Sequence, residues 1–257
     1  MKYLFKVLLF CVFATSIGTG LALYVTERWQ YDFVSALEKH CVDNGEFSDN
    51  VINTSVLIYT IDSENNLPMG HGSGGIIKHR YCREHVKLYI LSCAHILRDN
   101  ANYNGTMVLV KNGTFLEPIS FPIYPTKYID TQNDLVLFEA TIDRNIPIIF
   151  YTNRPDVYHL PPFKRQVATS GFPFGVGPIY DEGIVGVSLK NFVLCRIASH
   201  SGGSGSVVYD IETQKIIGVV RFIFKDSDNN SESLPNIVGL ISGQTVKKFL
   251  DSIEILY

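Results

Sequence analysis

From about Val51 onward the chain runs in short β-branched and aromatic stretches broken by Gly, Asn, Asp and Pro, which predicts an all-β barrel or sandwich. Strands are predicted over 55–61, 74–78, 87–92, 107–111, 135–140, 167–171, 183–189 and 192–197. Two more, 206–209 and 215–224, predict a hairpin around Glu212-Thr213-Gln214. Apolar residues at three-and-four spacing predict short helices only over 31–40 and 244–250. The Pro-rich stretch 153–163 divides the strands into two halves, about 51–150 and 160–245.

The N-terminus breaks this pattern. Residues 7–25 carry no charge, Lys2 and Lys6 precede them, and the run is long enough to cross a hydrocarbon core. Residues 1–26 are therefore predicted as a signal peptide or transmembrane anchor, and 27–50 as a helical linker. Basic residues before the span place everything after Glu27, including the β domain predicted over 51–257, on the extracytoplasmic side, either anchored or secreted.

Composition adds exclusions. A formal net charge of −3 over 257 residues leaves no basic excess to attract nucleic acid, so none is expected as a partner. Contact with a membrane is expected only through the N-terminal segment. Cys41, Cys82, Cys93 and Cys195 lie beyond the span, where an oxidising compartment permits bridges, and their pairing stays open against free buried thiols. His79, Cys82 and His85 lack the paired spacing of a structural zinc site and are expected in a polar hairpin loop; no metal or other cofactor is expected. Sequons begin at Asn53, Asn104, Asn112 and Asn229 and are expected in exposed turns.

The candidate chemistry lies in three segments in chain order: Ser92-Cys93-Ala94-His95, Asn133-Asp134-Leu135-Val136-Leu137-Phe138, and Ser201-Gly202-Gly203-Ser204-Gly205-Ser206. A serine hydroxyl needs an adjacent base to attack at neutral pH, and the base needs a group to orient it. His95 closes a buried strand run and Asp134 opens another, so each is a strand-end side chain expected to need a partner. Gly202 and Gly203 supply permissive backbone before Ser204. None of the seven histidines follows Ser204, which removes the Ser-Asp-His order of α/β-hydrolases.

These motifs resemble the trypsin-like serine peptidases, closest to their HtrA/DegP-type branch, over about residues 72–251. Further matches in order are Gly72-Ser73-Gly74-Gly75, Gly171-Phe172-Pro173-Phe174-Gly175, Gly183-Ile184-Val185, Ile216-Ile217-Gly218-Val219-Val220 and Ile237-Val238-Gly239-Leu240-Ile241-Ser242. The resemblance implies two six-stranded antiparallel β-barrels of the chymotrypsin type followed by a C-terminal helix, without a PDZ domain. It implies a serine endopeptidase acting on protein or peptide substrates, with His95 as base, Asp134 as its orienting partner, Ser204 as nucleophile, and the amides of Gly202 and Ser204 as oxyanion hole. Ser201 also begins a Ser-Gly-Gly pattern, but choosing it would require an insertion before the strand that starts at Val207. Ala198, Ser199, His200, Val220, Arg221 and Phe222 are then expected to line the substrate pocket, with no acidic residue to hold Lys or Arg, which implies a small or medium apolar side chain, while His200 leaves open an acidic or amide preference.

The chain departs from that pattern at Gly203, where the family has Asn or Asp, at Val207, where it has Pro or Ala, and at Arg221. Arg221 falls in the strand that supports the aspartate, where it is expected to pair with a carboxylate and disturb it. The rival expectation is an inactive, protease-like binding module at the membrane.

Overall fold

The computed structural model describes residues 45–111, 113–146, 161–225 and 233–253. The predicted N-terminal span, the helix over 31–40, Cys41, the sequons at Asn112 and Asn229, and most of the Pro-rich link lie outside them. Among the described residues no helix is long and apolar enough to cross a membrane.

A helix, α1 (Gly45–Asn53), precedes β1 (Ser55–Asp62), β2 (Pro68–Tyr81), β3 (His85–Cys93), β4 (Ala101–Met107), β5 (Val110–Lys111), β6 (Thr114–Phe115), β7 (Ile119–Asp130) and β8 (Leu135–Asp143). Then come β9 (Gln166–Gly171), β10 (Ile179–Ser188), β11 (Phe192–Arg196), β12 (Val207–Asp210), β13 (Ile216–Lys225), β14 (Ser233–Ser242) and α2 (Gly243–Asp251). The first barrel closes in the order β1-β2-β3-β8-β7-β4 and the second in the order β10-β11-β14-β13-β12-β9, every pair antiparallel. Two closed six-stranded antiparallel barrels fit a chymotrypsin-like fold.

Strand alternation explains how the barrels meet. On β3, Val86, Leu88 and Ile90 point into the first barrel, while Tyr89, Leu91 and Cys93 point out of it. Leu135 and Leu137 of β8 face the same outward way, and all five join Val207, Ile216, Val219 and Ile241 of the second barrel in one apolar seam. A strand buried on both faces reads as a continuous apolar run. Helix α2 closes the seam with Val246, Phe249 and Leu250 at helical spacing, its first turn capped by Ser242, whose hydroxyl accepts from the Thr245 amide.

Several expectations need correction. The strand expected over 107–111 splits, because Met107 ends β4 and Val110 begins the small β5-β6 hairpin. Strands β4 and β7, and helix α1 across the expected boundary at 51, were not predicted. Asn53 is fully buried rather than in an exposed turn: its side-chain amide donates to Val110 O at 2.9 Å and its oxygen accepts from the Val110 amide. Asn104 lies within β4, not in a turn. Of His79, Cys82 and His85, only Cys82 lies in the β2-β3 loop, its amide bonded to His85 O; His79 lies within β2 and His85 opens β3. Cys82, Cys93 and Cys195 are free thiols, the latter two buried.

The second barrel carries a buried ion pair. Asp210, with a fully buried side chain, takes Arg165 Nη2 at 3.0 Å and Arg165 Nε on its two oxygens, and also the Thr213 amide at 2.7 Å. Burial raises the Asp210 carboxyl, but these donors outweigh it and hold the group below its ordinary value. A depressed carboxylate contributes stability that is full above its unfolded value, about 3.9, and is lost as pH falls through the folded one. Arg165→Met leaves the charge buried and unpaired and is expected to cost about 3–5 kcal/mol at neutral pH. In urea titrations the gap to wild type should narrow as acid protonates Asp210; a gap independent of pH would contradict this account.

Candidate active site

His95 sits in a 3₁₀ turn, Ala94–Ile96, directly after β3, and Asp134 sits directly before β8. Because β3 and β8 pair with Cys93 opposite Leu135, the two side chains emerge from adjacent strand ends. Asp134 has φ +60°, a left-handed conformation that Asp tolerates better than most residues, and the turn before it is tied by Asp130 accepting from the Asn133 amide. The result is a double contact: Asp134 Oδ1 accepts the His95 backbone N–H at 2.7 Å, and Oδ2 lies 2.8 Å from His95 Nδ1. Nε2 is then the ring nitrogen left available on a partly exposed imidazole.

Arg221 completes the group. Strand β13 carries a bulge between Val220 and Phe222, and a bulge re-aims the side chain at that point. Arg221 Nε lies 3.2 Å from Asp134 Oδ2, which is the carboxylate pairing expected from the sequence. Burial pushes the Asp134 carboxyl up, but the His95 hydrogen bonds and charge, with Arg221 behind them, outweigh it and hold it below its usual range.

The serine loop packs against segments that adjoin this group. The Ser73 amide donates to Ser204 O at 2.8 Å, and Gly72 is packed between that oxygen and Ile96, the neighbour of His95. Gly205 donates to Val220 O, which also accepts from Cys93 Sγ at 3.1 Å, so segments adjoining both Ser204 and His95 rest on one carbonyl. Gly205 has φ +93°, and a Cβ there would sit 2.0 Å from Ser73 O. No other residue fits.

The turn before Ser204 fixes two amides. Gly203 N–H donates to His200 O at 2.9 Å, and Gly202 has φ +94° while Ser201 does not enter the positive region. This is a type II turn. Its central carbonyl, Ser201 O, accepts from Phe174 N–H at 2.6 Å. A trans peptide points its N–H opposite its C=O, so the Gly202 N–H is turned away from Phe174. Neither it nor the Ser204 N–H meets an acceptor among the described residues. Ser204 is half-buried in this loop, whereas Ser201 stands at an exposed turn corner.

The expected pocket residues divide. Ala198, Ser199 and His200 form the loop before the turn, with the His200 ring stacked on Phe174 at 5.3 Å. Phe222 lies over Gly239 and stacks on Phe192, which makes an apolar wall. Val220 does not line the pocket with its side chain, which alternation sends into the core of the second barrel; only its carbonyl takes part.

Three nearby residues escaped the sequence reading. Asp181 of β10 accepts the Ala198 amide at 2.6 Å, which puts a carboxylate behind the pocket loop where no acidic residue was expected. Phe174, at φ +58°, holds the turn described above. His71 packs against Gly175 and Gly202, its buried Nε2 has no partner among the described residues, and burial lowers its basicity. Cys93 Sγ, His95 and Asp134 also bring possible ligand atoms within 4.8 Å of one another. The thiol is buried and hydrogen-bonded to Val220 O, and burial followed by the Asp134 charge pushes its pKa well up, so it behaves as a protonated donor rather than a thiolate.

No protein-family model matches this chain, and no curated protein matches its sequence.

Proposed function

We propose that the protein is a serine endopeptidase that hydrolyses peptide bonds through an acyl-enzyme. The observation that carries this reading is the double contact of Asp134 with His95, beside a serine loop whose Gly202 and Ser204 amides meet no acceptor among the described residues. Ser204 Oγ attacks the scissile carbonyl carbon while His95 Nε2 takes the hydroxyl proton. Asp134 holds the Nδ1–H tautomer and balances the imidazolium. The carbonyl oxygen, now an oxyanion, is received by the Gly202 and Ser204 N–H groups. The C–N bond breaks as His95 returns the proton to the leaving amine. Water, deprotonated by the same nitrogen, then releases the acid and restores Ser204.

Residues 1–26 would hold this domain at a membrane or direct its export, on the extracytoplasmic side, with protein or peptide substrates reaching it there. The apolar wall at Phe222 favours a small or medium apolar side chain in the pocket.

A fluorophosphonate probe is expected to label the folded wild-type protein and not Ser204→Ala. Labelling that survives the substitution sinks the assignment of Ser204. A folded wild type that is never labelled, yet binds a partner regardless of His95→Ala, would favour the inactive binding module.

A further inference from the structure

The charged groups around His95 narrow the choice of peptide. Arg221 spends only Nε on Asp134 and is 46% exposed. Its two terminal nitrogens carry four further N–H donors, and they meet no acceptor among the described residues. A guanidinium edge of this kind is shaped to take a carboxylate on two parallel hydrogen bonds.

Neither Asp134 nor Asp181 answers that need. Asp134 Oδ2 is shared between His95 Nδ1 and Arg221 Nε, and its other oxygen holds the His95 amide. Asp181, behind the pocket loop, spends Oδ2 on the Ala198 amide. Arg98 adds positive charge beside His95; its Nη1 is anchored on the carbonyls of His95 and Leu97, and the next residue, Asp99, is exposed. The segments around the imidazole therefore carry two arginines, the exposed Asp99 and a buried carboxylate that is already engaged.

We infer that the free edge of Arg221 selects peptides carrying an Asp or Glu side chain within two residues of the scissile bond. This rests on the peptidase reading above. One contact separates the guanidinium from Asp134 and a second separates Asp134 from the imidazole, so a side chain flanking the reacting residue reaches it. A half-exposed pair lies between a screened surface contact and a buried bidentate one, which sets the expected discrimination at about tenfold.

The test uses the full chain and internally quenched peptides in which each position near the cleaved bond is changed in turn from Gln to Glu and from Asn to Asp. Wild type is expected to favour the acid at one position by about tenfold in kcat/KM at low salt, with the ratio falling as ionic strength rises. Arg221→Gln should bring the ratio close to one, Arg221→Lys should keep part of it, and Arg98→Gln should leave it in place. Taking the ratio within each variant cancels whatever Arg221 does to Asp134. Equal cleavage of acid and amide peptides by wild type, or a ratio that survives Arg221→Gln, overturns the inference. Probe labelling separates the two failures: a labelled protein indifferent to acid loses only this inference, whereas a folded protein that is not labelled loses the peptidase reading and this inference with it.

Discussion

Asp134→Asn is expected to lower kcat/KM by about 10⁴-fold while leaving the fold intact. Asn suits φ +60° as well as Asp does, so the turn before β8 should survive. The chemistry should not. The carboxylate accepts from three donors, the His95 amide, His95 Nδ1 and Arg221 Nε, and a carboxamide keeps only one accepting oxygen. If that oxygen stays on the His95 amide, the NH₂ group faces Nδ1 and makes it an acceptor. The proton then sits on Nε2, where a base for Ser204 must have a lone pair. Because the Asp134 carboxyl is held below its usual range, its support is full above that range and is lost only as pH falls through the lowered value. Its ionisation therefore does not shape an activity profile near neutrality. Steady-state kinetics beside a thermal melt check this: activity within tenfold of wild type in a folded Asp134→Asn protein would remove Asp134 from the mechanism.

Gly202→Ala is expected to cost about 10²–10³-fold in kcat, the scale of one lost oxyanion donor. A Cβ at this position would lie 2.5 Å from His71 Nε2 and 2.8 Å from Phe172 O, on a backbone at φ +94°. The cheapest relief is a flip of the Ser201–Gly202 peptide from type II to type I. That flip breaks the Phe174 N–H to Ser201 O bond and turns the Gly202 N–H out of the site. Gly203→Ala is the control. Its Cβ would meet the movable Ser199 hydroxyl at 2.4 Å and His200 O at 3.1 Å, without a positive φ, so a smaller loss is expected. Equal losses in the two variants, or none in Gly202→Ala, would contradict the assignment of this amide.

Parts of this arrangement were legible in the sequence and parts were not, for physical reasons. Strands β3 and β8 could be read because both of their faces are buried, one in the barrel and one in the seam, so no polar residue interrupts Leu135 to Phe138. Strand β4 was hidden by exposed Asn102 and Asn104 and by Gly105, where a Cβ would strike Phe121. Strand β7 was hidden by Pro122 and Pro125, which sit near a break in its register with β8 between Pro125 and Ile129. His95 and Asp134 stood out because they end and open such runs, and Ser204 because glycines flank it just before the strand that starts at Val207. Asp181, Phe174 and His71 act through tertiary placement alone: a carboxylate reaching a loop amide, a backbone N–H holding a carbonyl, and a ring filling the space beside a glycine. No local spacing encodes those contacts. Arg221 lies between these cases, since its position relative to the aspartate was readable but the bulge that delivers it was not.

The carbonyl of Val220 takes a hydrogen bond from each barrel, one from Cys93 Sγ and one from the Gly205 amide. In mechanical terms it is a pivot pin. Hydrogen bonds weaken steeply with misalignment, so a slide of one barrel along the other by a fraction of a bond length would strain both at once. A shift at the seam therefore acts on the segment beside Ser204 and the segment beside His95 together.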